Sequence, residues 1–194
     1  MGVVLSVTAL VWAFSGANLS PAELGLSGPR VLKSGGIGLL VAIGSALPAL
    51  LFLRFPPLVG GSVEYSPLAD MSPLALLLRI ALWMPLDTVV PEELAFRGVL
   101  LAELLRRTSP LRATLLSAAV FVVWHAVVVT RTLSLTNLRD RPLLLSMGLV
   151  LAFAAVFFGG VLFAALRIRT GHMAASVLAH WGFNSLVLLG LAIS

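Results

Sequence analysis

The sequence predicts an all-α protein, a polytopic transmembrane helix bundle of about six spans, and three observations carry that expectation. The chain of 194 residues is 59% hydrophobic, with a mean hydropathy of +1.07. Only 11% of its residues are charged, less than half the roughly 25% of an ordinary soluble domain. Its apolar residues gather into six runs, each near the roughly 20 residues that cross a bilayer. Together these exclude a soluble single-core domain, a disordered chain and a solvated nucleic-acid binder. The absence of cysteine excludes disulfides, thiolate metal sites and a cysteine nucleophile.

The runs follow one another with charges between them. Met1 to Ala22 is uncharged and lacks a basic leader, which reads as a first helix rather than a cleaved signal. Ser34 to Leu53 is the second, with Pro48 placed to kink it. The third begins near Met71 and is interrupted by Arg79, Asp87, Glu92, Glu93 and Arg97. Ala113 to Thr130 is the fourth, with His125 as its only ionisable group. Pro142 to Leu166 is the fifth, and its Gly159-Gly160 pair suits close helix packing. Thr170 to Ser194 is the sixth and carries His172 and His180. There is no internal repeat, and residues 1–194 read as one integral membrane domain.

The net charge of +5 reads as loop bias in such a chain rather than affinity for an acidic ligand. Three basic loops fall on one side of a six-span arrangement: Arg30 and Lys33; Arg106, Arg107 and Arg112; Arg167 and Arg169. By the positive-inside rule that side is cytoplasmic, and the loop from Pro56 to Asp70, with Glu64 and Asp70, is external. The loop holding Arg131, Arg139 and Arg141 runs against this assignment. The expected location is the cell membrane of a prokaryote.

Ionisable groups at membrane depth are costly and mark function. Three clusters stand out, each with one-turn helical spacing. In the first, Pro91 suits an opening helical turn, and Glu93 and Arg97 stand four apart and can pair. Glu92, rotated about 100° from Glu93, is then left over. The second is His125 in an uncharged span, and the third is His180 with Asn184 four residues on. Each has a structural alternative: a surface ion pair, a histidine bonded to a backbone carbonyl or to Ser117, and a His–Asn pair joining helices. His172 reads as interfacial, and Asp87 as a helix cap or part of an entry. Taken together, a spare carboxylate, two histidines and a carboxamide are what hydrolysis within lipid needs. A Glu helped by a His can deprotonate water, and a His and an Asn can donate to an oxyanion. The same Glu92, His125 and His180 could instead form a His₂Glu zinc set or a proton relay in a transporter. No serine or cysteine nucleophile in an elbow-like context and no HExxH motif accompanies them.

In order and spacing the clusters resemble the motifs of the CAAX prenyl protease and bacteriocin-processing (CPBP, or Abi) family of intramembrane glutamic proteases. The family pattern EExxxR, FxxxH, HxxxN reads here as Glu92-Glu93 with Arg97, Phe121 with His125, and His180 with Asn184. The resemblance runs from about Met71 to Ser194, and the first 70 residues match only as generic spans. It implies a multi-helix bundle with the site inside it. It further implies that Glu92 and His125 activate water, that His180 and Asn184 form the oxyanion hole, and that Glu93, Arg97 and Phe121 support them. It implies a metal-free reaction with no cofactor. The expected partners are the bilayer and a membrane-associated or lipidated peptide entering laterally, since the short loops leave no domain for recognising a folded protein.

Overall fold

A computed structural model of the chain describes residues 2–55 and 61–193. The predicted ends at Met1 and Ser194, and residues 56–60 of the acidic loop, lie outside the described residues. The rest forms six helices: α1 (Gly2–Val11), α2 (Val31–Arg54), α3 (Pro73–Arg107), α4 (Pro110–Ser134), α5 (Pro142–Thr170) and α6 (Ala174–Ala192). Helices α2 to α6 are long and apolar enough to cross a membrane. The protein is an integral, multi-pass membrane protein built as a helical bundle.

The first apolar run departs from expectation. After α1 a π-helical turn, Trp12–Gly16, ends the helix, and Asn18 takes φ 48°. The apolar helix Val4–Gly16 rises about 1.5 Å per residue and so falls short of the roughly 30 Å of hydrocarbon. The end of that run packs inside the protein instead: Leu19, with Leu24 just beyond the run, is buried with Ala9, Ala13, Val99 and Ala102. Asp87 holds the other end of α1, its Oδ1 accepting the Gly2 N–H at 3.2 Å. Helix α2 runs through Pro48 without ending.

Local sequence explains the other boundaries. Ser72 and Ser109 cap α3 and α4 by accepting from the N–H of Ala75 and Arg112, each followed by proline in the first turn. Gly171 stops α5 in the left-handed region, φ 72°. His172 then accepts the Ala174 N–H at Nδ1, 3.0 Å, at the start of α6.

Cross-loop bonds show which loops share an end of the bundle. Arg106 pairs with Glu23 at 2.7 Å and donates to the Ala17 carbonyl. Arg167 donates to the Glu23 carbonyl at 2.7 Å, and the Met173 N–H to that of Gly25 at 2.8 Å. The three basic loops are therefore gathered at one end. At the other, Tyr65 bridges Thr136, and Asn137 accepts the Glu64 N–H.

Small residues bring the helices close. Ser34, Gly35, Gly38, Ala42 and Ala46 form the buried stripe of α2. A Cβ on Gly38 would meet the Ala175 carbonyl, and one on Gly182 would lie 2.7 Å from Ala42 Cβ. This seats α6 on α2 and leaves His180 facing α3, α4 and α5. Between α4 and α5, Gly160 rather than Gly159 makes the close approach, since a Cβ on it would lie 3.1 Å from Ala118. Helix α3 is π-helical over Arg79–Val89 and Leu94–Leu100, flanking an α-helical turn at Val90–Glu93. Such widened turns recur at functional sites. Trp181 of α6 donates its Nε1–H to the carbonyl of Ile80 in the first of them, at 2.9 Å.

Candidate active site

The turn Val90–Glu93 sends two neighbouring carboxylates to different partners. Glu93 and Arg97 are both fully buried and pair at 2.8 Å, Nη1 to Oε1. His180 Nδ1 reaches the same oxygen at 3.0 Å. The Arg97 guanidinium lies over the Phe121 ring at 4.0 Å, with the Phe163 ring 5.3 Å away. Its Nε and Nη2 have no hydrogen-bond partner among the described residues, and the two aromatic faces add cation–π attraction to the ion pair.

Glu92, also buried, turns toward α4. Its Oε1 accepts the Trp124 Nε1–H at 3.0 Å. Its Oε2 has no hydrogen-bond partner among the described residues and lies 3.6 Å from His125 Nε2 and 4.0 Å from His180 Nε2. Each carboxylate is thus bonded through its Oε1, and what distinguishes Glu92 is that its other oxygen faces the two histidine Nε2 atoms.

The histidine tautomers follow from what their Nδ1 atoms touch. A carbonyl oxygen only accepts, so His125 Nδ1, 2.9 Å from the Phe121 carbonyl, carries a proton. Its Nε2, toward Glu92, then bears a lone pair in the neutral ring. Ser117 is not its partner, since that hydroxyl donates to the Phe96 carbonyl at 3.2 Å. By the same logic His180 donates from Nδ1 to the Glu93 carboxylate, and its Nε2 is a donor only in the doubly protonated ring.

Glu92, His125 and His180 therefore meet, and Glu93, Arg97 and Phe121 pack directly behind them. Asn184 sits one turn beyond His180, half-buried, and makes no side-chain hydrogen bond among the described residues. Among the described residues no group of three His, Asp or Glu side chains is arranged to hold a metal ion.

Two further residues belong to the cluster and stood outside the motif reading. Trp124 is bonded to Glu92, and Phe163 of α5 stacks on His180 with centroids 5.1 Å apart and planes at 23°. Trp124 stands next to His125 in the sequence, which is the one local signal for it. Phe163 is one aromatic in an apolar span and has none.

Neither the curated proteins nor the solved structures contain a match to the chain. A family model, described as type II CAAX prenyl endopeptidase Rce1-like, matches residues 71–186. That stretch runs from just before α3 into α6 and holds Glu92, Glu93, Arg97, Phe121, His125, His180 and Asn184. Because the match covers more than half of the chain and every residue of the buried cluster, the protein belongs to the Rce1-like type II CAAX prenyl endopeptidase family.

Proposed function

We propose that this protein hydrolyses a peptide bond in a membrane-associated or lipidated peptide, using water activated by Glu92 and His125. The observation that carries this reading is the open Oε2 of Glu92, 3.6 Å from His125 Nε2 within a largely apolar enclosure. A water held between these two atoms gives a proton to Glu92 Oε2 while its oxygen attacks the scissile carbonyl. Collapse of the tetrahedral intermediate breaks the C–N bond, and the same proton passes to the departing amine. His125 orients the water through its Nε2 lone pair.

The oxyanion would be met by Asn184, whose amide is uncommitted, and by His180 Nε2. His180 donates there only as the doubly protonated ring, because its first proton belongs to Glu93. Glu93 and Arg97 act as a strut that fixes this ring, as a second layer of partners fixes reacting groups elsewhere. Water activation is assigned to the protein's own side chains, so hydrolysis is expected to persist after exhaustive chelation.

The test is a panel of prenylated, acylated and unmodified peptides presented in liposomes, wild type beside Glu92→Gln. Cleavage by wild type, lost in a Glu92→Gln variant that still inserts and unfolds normally, is the expected result. Equal cleavage by the two would overturn the reading.

A further inference from the structure

The carboxylate proposed as the base is held by a residue outside the family motifs. The Trp124 Nε1–H bond to Oε1 is the one hydrogen bond that the Glu92 side chain makes among the described residues. An indole nitrogen can only donate, so the direction of the bond is unambiguous. It makes two chemically equal oxygens unequal. Oε1 commits a lone pair to the indole, and Oε2 is left bare toward His125 Nε2 and His180 Nε2.

The indole is held in turn. It packs on Phe96 with centroids 6.0 Å apart, and Phe96 meets Phe121 edge-on at 5.0 Å. Trp124 and His125 are adjacent on α4, so one helical turn addresses both oxygens of Glu92, the indole at one and the imidazole near the other. We infer that Trp124 is a positioning residue that selects Oε2 of Glu92 as the oxygen that takes the proton from water. This rests on the hydrolytic role proposed for Glu92. Trp124 acts through Glu92 alone: its N–H is used up before substrate arrives.

Replacing Trp124 with 3-benzothienylalanine keeps the shape of the side chain and exchanges the N–H for sulfur. The expected result is a kcat lower by about 10- to 100-fold, the scale of one hydrogen bond to a charged group, with KM and thermal unfolding unchanged. A space-filling role would leave kcat untouched, and that outcome overturns the inference. A second measurement needs no turnover. In protein labelled with ¹⁵N-tryptophan, the indole resonance assigned by Trp124→Phe should move in Glu92→Ala; a resonance that stays put removes the bond and the inference. If Glu92→Gln cleaves as wild type does, the hydrolytic reading fails and this inference with it. If Glu92→Gln is inactive while the benzothienyl variant works at the wild-type rate, only the role of Trp124 is overturned.

Discussion

His180 Nδ1 and Glu93 Oε1 lie 3.0 Å apart, and that oxygen also takes the Arg97 Nη1–H at 2.8 Å. One carboxylate oxygen thereby ties α6 to α3 and decides which nitrogen of His180 faces Glu92. The same contact makes the ion pair more than ballast.

One prediction concerns the buried pair. Arg97→Met leaves Glu93 charged in an apolar interior without its cation, and losing one partner costs about 3–5 kcal/mol in comparable buried pairs. Glu93→Leu combined with Arg97→Met removes both charges and should recover most of that loss. Peptide cleavage should stay absent in the double variant, because His180 Nδ1 then has no acceptor. Thermal unfolding in detergent, read beside cleavage, checks both halves. A double variant no more stable than Arg97→Met would contradict the first, and one with wild-type cleavage the second.

Asn184 offers the opposite case. Its amide makes no side-chain hydrogen bond among the described residues, so Asn184→Ala should leave the unfolding temperature where it was. If the amide meets the oxyanion, kcat should fall by about 10²- to 10³-fold, the usual cost of one such donor. Steady-state kinetics on a cleaved peptide separate the two effects. A full rate in Asn184→Ala would remove it from the reaction.

At the end of the bundle where the basic loops meet, Glu23 is held at a pKa of about 2, below its ordinary 4.5. The largest cause is the hydrogen bond from the Ser20 backbone N–H, followed by the Ser20 hydroxyl and Arg106. The folded state favours the ionised form, so its stabilisation is complete above pH 4.5 and disappears as pH falls through about 2. Wild type should therefore unfold at a higher temperature than Glu23→Gln by a constant margin above pH 4.5, and the margin should close on acidification toward pH 2. Unfolding curves at stepped pH measure this; a margin that survives unchanged to pH 2 would refute it.

Much of this was legible along the chain. Apolar runs announced helices α2 to α6, because crossing hydrocarbon demands length and low polarity and little else. Spacing of four announced the Glu93–Arg97 pair, and the leftover Glu92 followed from the 100° step between neighbouring helical residues. The first run misled on length, since Leu19 is equally apolar whether it faces lipid or packs a loop. Ser117 looked available to His125 one helix face away, and its hydroxyl turned to the Phe96 carbonyl of another helix instead.

By itself, then, the sequence determined a membrane bundle and the residues able to do chemistry, both of which depend on composition and near neighbours. Only the tertiary structure decided how those residues are used. It brought Trp124 to Glu92 across 32 positions and His180 to Glu93 across 87, and it left Asn184 uncommitted. Periodicity fixes the face a side chain takes, but the partner it meets there is set by how closely Gly38, Gly160 and Gly182 let the helices approach.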